Sequence, residues 1–131
     1  MLEKCKGCLE MKVMTSNKPG PKPKFCSDCR NRDNWSAIRQ AFYHYDATVP
    51  EIAMLLEVEN CQVCNVKLED GNKGGRGHKP NSRQIDHCHD TNKIRGVVCW
   101  NCNVGIGKLG DTIEAVEAAL KYLKGKHNAV R

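Results

Sequence analysis

Eight of the nine cysteines in this 131-residue chain form four Cys-x-x-Cys pairs, and this spacing constrains the fold more than any other feature. The pairs are Cys5 and Cys8, Cys26 and Cys29, Cys61 and Cys64, and Cys99 and Cys102. Such pairs of pairs are typical of structural zinc sites with four thiolate ligands. Aromatic residues make up only 5% of the chain, so a conventional core would be thin. Zinc would supply the missing stability, on the order of 10 kcal/mol per site.

The alternative of disulfide bonds needs an oxidising compartment. The first residues show no apolar signal segment, and the chain has no apolar run of roughly 18 residues that would span a membrane. A thioredoxin-like redox site lacks its βαβ context. We therefore predict reduced cysteines and an intracellular protein.

The formal net charge of +6 counts the cysteines as neutral. Each zinc site with four thiolates carries a charge of −2, so two sites lower the net charge to about +2. The global charge is therefore weak evidence for a nucleic-acid partner. Local clusters of Lys and Arg, at 18–32 and 73–95, are more informative, although either alone is also compatible with ordinary solvated surface.

The chain divides into three predicted segments: an N-terminal zinc ribbon or knuckle at 1–32, a helical connector at 33–60, and a second metal-binding domain at 61–131. In the connector, apolar residues at helical spacing predict a core-packing helix over 34–45. The run Thr48-Val-Pro-Glu51 is a capping box that starts a second helix.

The second metal-binding domain is predicted to contain a hairpin and a final helix. Residues 69–82 are rich in Gly, Asn and Lys and predict a loop; 84–87 and 94–98 predict the two arms, and 99–103 a short helix or knuckle. The final helix is predicted to be capped by Asp111 with Glu114 and to end at Gly125. Its apolar face comprises Ile113, Val116, Leu120 and Leu123.

Several polar residues beside the zinc cysteines are free for other chemistry, because four thiolates close a zinc site and leave no position for water. Asp86 and His87 are adjacent on a predicted strand, so they point to opposite faces. Asp86 and Asn103 offer the oxygen ligands of a weak Mg²⁺ site that substrate phosphates would complete. His87 is then left to face a water or a phosphate. Two kinds of metal site are predicted.

Three motifs together resemble the recombination endonuclease VII family of phage-type nucleases. They are Ile-Asp-His-x-His at 85–89, Lys-x-Arg-Gly-Val-Val-Cys-x-x-Cys-Asn at 93–103 and Gly-x-Gly-Lys-Leu-Gly-Asp at 105–111. The family belongs to the His-Me finger (HNH, ββα-metal) superfamily. The resemblance covers about 60–125 and implies a small, zinc-stabilised α+β fold. It implies a ββα-metal nuclease domain with flanking helices, in a phage-encoded protein that acts in the cytoplasm of the host cell. The N-terminal zinc module with four cysteine ligands lies outside the resemblance and is predicted from the cysteine spacing alone.

The resemblance also implies roles for individual residues. His87 would be the general base, and Asp86 and Asn103 would bind Mg²⁺ or Mn²⁺. Cys61, Cys64, Cys99 and Cys102 would form the structural zinc site. His89 has three interpretations: it orients the metal shell, binds phosphate, or caps the turn.

The predicted DNA contacts are Arg95, as a phosphate clamp, Lys93 and Arg83. Ordinary hairpin surface charge is the alternative for Arg95. Cys88 has no assigned role.

The resulting prediction is a metal-dependent DNA endonuclease that nicks DNA or cleaves branched DNA. A double-strand cut would require two active sites, for example in a homodimer. Ile106 stands where some junction-resolving members carry an acidic residue, which speaks against junction resolution. The alternative is a non-catalytic zinc protein that binds nucleic acid or acts as an adaptor in replication, recombination or packaging machinery.

Overall fold

The structure, a computed structural model, describes residues 1–16, 18–70 and 77–125. It is a small α+β fold. In chain order the elements are β1 (Leu2–Lys4), β2 (Met11–Val13), α1 (Ser27–Arg30), α2 (Trp35–His44), α3 (Val49–Leu55), β3 (Arg83–His87), β4 (Ile94–Cys99), α4 (Trp100–Leu109) and α5 (Ile113–Lys124). β1 pairs with β2 in antiparallel register, and β3 pairs with β4. None of the described helices is long and apolar enough to cross a membrane.

The chain groups into two compact units that are not continuous in sequence. The first comprises 1–59 and 85–97, and the second comprises 60–84 and the chain from 98 onward. The hairpin of β3 and β4 thus contributes to both units. The three sequence segments proposed above, with boundaries at 32 and 60, stay a prediction.

The core of the first unit is built around Phe25, whose ring lies 5.1 Å from Trp35 and 5.2 Å from Phe42 in edge-to-face contacts. Ile38 and Ile52 are fully buried beside it. Three of the four N-terminal paired cysteines, Cys5, Cys26 and Cys29, are buried in the same core. The predicted helix at 34–45 is confirmed as α2, with Ile38 on its buried face. Five of the seven aromatic residues of the chain lie in or beside this core, which explains how so few aromatics suffice.

The capping box of α3 is also confirmed. Thr48 Oγ1 accepts a hydrogen bond from the Glu51 N–H, and the Glu51 carboxylate accepts one of 2.7 Å from the Thr48 N–H. The Val49 N–H donates to the Gly7 carbonyl at 2.8 Å. A Cβ on Gly7 would lie 2.6 Å from Val49 Cγ2, so this close contact between α3 and the first cysteine turn requires glycine.

The predicted hairpin arms and the final helix are also confirmed, with one correction at a helix start. The C-cap of α4 is Gly110, whose φ of +117° favours a residue without a side chain. The predicted cap Asp111 is wrong by one residue: Thr112 Oγ1 accepts from the Ala115 N–H at 3.1 Å. Asp111 has a left-handed φ of 56°, whereas Thr112 has the extended backbone that is typical of a residue whose side chain caps a helix.

The predicted loop at 69–82 lies partly outside the described residues. Where the loop is described, its two ends are joined: the Glu69 N–H donates to the Asn81 carbonyl, and the Arg83 N–H donates to the Glu69 carbonyl. These hydrogen bonds fix the two ends of the loop beside each other at the start of β3.

Candidate active site and zinc clusters

The first pair of each cysteine set forms the same tight turn. The Leu9 N–H donates to the Cys5 carbonyl at 2.9 Å, and the Asn65 N–H donates to the Cys61 carbonyl at the same distance. Leu9 and Asn65 both have a φ of 64°, in the left-handed region. This conformation turns the chain sharply, so both thiols of each pair point to one side.

The second pair of each set lies at the start of a helix. Cys26 precedes α1, and Cys99 precedes α4, where its sulfur accepts the Cys102 N–H at 3.3 Å. The free N–H groups of a first helical turn favour negative charge, which suits a thiolate. Each set is thus a cysteine turn facing a helix start.

The distances between the sulfur atoms match a tetrahedral zinc site. The separations are 3.8 Å for Cys5 and Cys29, 3.9 Å for Cys8 and Cys26, and 3.7 Å for Cys64 and Cys99. Four sulfurs about 2.3 Å from one zinc ion lie about 3.8 Å apart, whereas a disulfide bond is about 2.05 Å long. Both predicted sets of four cysteines are therefore brought together as clusters that can hold zinc.

One thiol in each cluster has a pKa below its ordinary value. Burial opposes the ionisation of Cys5 and of Cys61, but backbone N–H donors outweigh it and lower the pKa of each to about 6. The donors are Cys8, Cys26 and Gly7 for Cys5, and Cys64, Cys99 and Val63 for Cys61.

The last cysteine of each cluster has a pKa above its ordinary value. Burial and the neighbouring thiols raise the pKa of Cys29 and of Cys102. Because several thiolates cannot accumulate in one place without a cation, the donor set fits a divalent metal such as zinc.

The hairpin of β3 and β4 places Asp86 against Arg95. Arg95 Nε donates to Asp86 Oδ2 at 2.8 Å, and Arg95 Nη2 donates to Oδ1 at 2.9 Å. The Asp86 side chain is only 14% exposed and the Arg95 side chain 38%. Paired, bidentate geometry of this kind orients the carboxylate. The predicted metal ligand and the predicted phosphate clamp are thus direct partners.

His87 is half-buried and lies beside two other rings. Its ring centroid is 4.7 Å from that of His89 and 5.0 Å from that of Tyr45. His89, which is exposed, is therefore brought beside His87. Tyr45 is the last residue of the core-packing helix that the sequence predicts at 34–45. No local motif connects Tyr45 with a histidine 42 positions away.

The turn of this hairpin repeats the geometry of the two cysteine turns. The Cys88 N–H donates to the Lys93 carbonyl and the Asn92 N–H donates to the Cys88 carbonyl, both at 2.8 Å. Asn92 has the left-handed φ, 59°, and Thr91 occupies the position of the second cysteine. Thr91, through its side chain and backbone, and then the Asp90 backbone, lower the pKa of the Cys88 thiol. Cys88 stabilises a turn and belongs to neither four-cysteine cluster in the described chain.

Three predicted site residues remain, Asn103, Arg83 and Lys93. Asn103 is half-buried on α4 in the second unit, directly after Cys102. Arg83 Nε donates to Asp70 Oδ1 at 2.8 Å, and its side chain is largely covered. Lys93 is exposed. The roles of these residues stay predictions.

The fold and the clusters define a small α+β protein with two four-cysteine clusters that can hold zinc. The profile of the family described as recombination endonuclease VII matches residues 38–125. The chain belongs to the recombination endonuclease VII family.

Comparison with solved structures found the crystal structure of the ββα-Me type II restriction endonuclease Hpy99I. The identity is 21% and the TM-score 0.41, and the match covers 94% of this chain and 65% of that one. This chain thus spans less than two thirds of that enzyme's length. A search of curated proteins found no match.

Proposed function

We propose that the protein is a metal-dependent DNA endonuclease that hydrolyses phosphodiester bonds with His87 as the general base. The observation that carries this proposal is the hairpin within the family segment. In it, one carboxylate, one guanidinium and one half-buried imidazole lie on two short paired strands. Phosphodiester hydrolysis needs a proton acceptor and positive charge at the phosphate, and these side chain types supply both.

The proposed division of labour follows from the side chains. Imidazole is the side chain best suited to accept a proton from water near neutral pH. The Arg95 guanidinium can bind two phosphate oxygens with the same planar fork that now binds both oxygens of Asp86. Arg95 would therefore exchange a carboxylate for a phosphate when DNA is bound.

A divalent metal would complete this site. From the sequence resemblance, we propose Asp86 and Asn103 as ligands of Mg²⁺ or Mn²⁺, which prefer carboxylate and amide oxygens. The half-buried Asp86 carboxylate already holds a positive partner, and this fits a cation site. When bound, the metal would supply positive charge to the phosphate and to the leaving oxygen.

Incubation with supercoiled plasmid tests the proposal. We expect conversion to the nicked form with Mg²⁺ or Mn²⁺ and none with excess chelator, because one chain carries one proposed active site. Branched, nicked and single-stranded DNA complete the substrate panel. If none of these DNA forms is cut with any divalent metal, the alternative of a non-catalytic zinc protein that binds nucleic acid or acts as an adaptor is the better one.

Arg95→Gln is expected to lower the Mg²⁺ concentration that gives half-maximal cleavage. Arg95 competes with a metal for Asp86, and one partly exposed ion pair is worth about 1 kcal/mol, so the midpoint should fall roughly 2- to 10-fold. The KM for DNA should rise, because a phosphate contact is lost. Titration of Mn²⁺ by calorimetry without DNA checks the metal affinity directly.

Lys93→Gln is the matched control for Arg95→Gln. It removes one positive charge from the same hairpin without removing a partner of Asp86. We expect weaker DNA binding with an unchanged metal midpoint. If both variants shift the metal midpoint equally, Arg95 acts through general charge and the proposed competition for Asp86 is wrong.

A further inference from the structure

Tyr45 is placed against the proposed general base by three separate constraints. It is the C-cap residue of α2, directly after His44, and its N–H donates to the Ala41 carbonyl at 2.9 Å. Its half-buried side chain packs against the core of the first unit. On the other side, its ring lies 5.0 Å from the His87 ring, inclined by 46°. The aromatic ring therefore forms a wall beside the imidazole.

The third constraint is Asn92, which holds the backbone on both sides of Tyr45. Asn92 Nδ2 donates to the His44 carbonyl at 2.6 Å, and the Asp46 N–H donates to the Asn92 carbonyl at 3.3 Å. Asn92 itself has a left-handed φ of 59°, which asparagine tolerates better than most residues. The turn that follows His87 is thus tied to the end of the helix that carries Tyr45.

We propose that Tyr45 is a positioning residue for His87. Asn92 fixes the position of Tyr45 relative to His87 through its hydrogen bonds to the backbone of His44 and Asp46. This inference rests on the proposed function, because it takes His87 as the base. A half-buried imidazole can rotate about two side-chain bonds, and a base must direct one nitrogen at the attacking water. Tyr45 removes rotamers in which the ring turns towards α2. Small misplacements of a catalytic group cost as much as about 100-fold in rate.

Tyr45→Ala and Tyr45→Phe separate this role from others. We expect Tyr45→Ala to lower kcat roughly 10- to 100-fold, while the KM for DNA and the zinc content stay unchanged. Tyr45→Phe should keep nearly wild-type kcat, because the aromatic ring that restricts rotation of the His87 side chain is still present. Equal damage from both variants would assign the effect to the hydroxyl group and overturn the proposal.

Leu56→Ala controls for loss of packing, since Leu56 packs against the same core. It should lower the melting temperature as Tyr45→Ala does but leave kcat at the wild-type value. If kcat instead falls in proportion to stability in both variants, Tyr45 is a core residue only.

Asn92→Gly tests whether Asn92 fixes the position of Tyr45 relative to His87. Glycine accepts the left-handed φ and keeps the backbone contact to Asp46, so the variant removes only the side-chain bond to His44. We expect part of the kcat loss of Tyr45→Ala, and little further loss when the two substitutions are combined, because they act through one contact. Additive losses would show that Asn92 does not act through Tyr45.

An NMR measurement tests the geometry without activity. The ring current of Tyr45 should shift the ring-proton signals of His87, and the shift should vanish in Tyr45→Ala and persist in Tyr45→Phe. Unchanged His87 signals in Tyr45→Ala would overturn the positioning role. By contrast, undisturbed cleavage by a variant without His87 would overturn the proposed function and leave the NMR result intact.

Discussion

His87→Ala is expected to abolish DNA cleavage while leaving zinc content and DNA affinity at wild-type values. The substitution removes the proposed proton acceptor and no zinc thiolate, so the loss falls on activation of water. A general base contributes about 10²- to 10⁴-fold, which brings the rate close to the detection limit. Single-turnover nicking of supercoiled plasmid, with saturating enzyme and metal, measures this loss.

His78→Ala is the matched control. His78 also has an aromatic neighbour, since its ring stacks 5.9 Å from Trp100, but it lies outside the hairpin turn. The His78→Ala variant should cut DNA as fast as the unmodified protein. If His87→Ala also cuts at that rate, His87 is not the base, and the assignment of a His-dependent nuclease fails.

Cys99→Ser is expected to unfold the second unit and to lower bound zinc from two ions per chain to one. Among the described residues of this unit, the large buried side chains are few, namely Leu68 and Val98 beside Cys61 and Cys99. Cys99 also starts α4, so its loss removes a ligand and a helix cap together. A zinc site contributes on the order of 10 kcal/mol, which such a small core cannot replace. Elemental analysis and circular dichroism measure the two effects.

Cys88→Ser is the control for this substitution. Its sulfur lies in the hairpin turn and outside both four-cysteine clusters of the described residues, so two zinc ions and full helicity should remain. A wild-type content near one ion per chain would mean that one cluster does not hold zinc. A content near three would bring Cys88 and the neighbouring histidines into a third site.

The two cysteine clusters were predictable because their constraint is local. A Cys-x-x-Cys turn brings two thiols together without help from the rest of the chain, and metal binding needs only that two such turns meet. The capping box at Thr48 was predictable for the same reason, since its bonds join residues three positions apart. The cap of α5 was misplaced because Asp111 and Thr112 are both good caps, and only the left-handed backbone after Gly110 decides between them.

The sequence by itself determined which residue types are available: eight paired thiols, an Asp-His strand, and a basic residue on the opposite arm. Only the tertiary structure decided that Arg95 holds both oxygens of Asp86 and that Tyr45 lies against His87. It also showed that Cys88 and Asn92 build a third turn of the cysteine-turn type. These contacts depend on strand register and on a helix end tied to a turn 48 residues away. Sequence patterns report periodicity within an element, whereas packing between distant elements depends on the whole core.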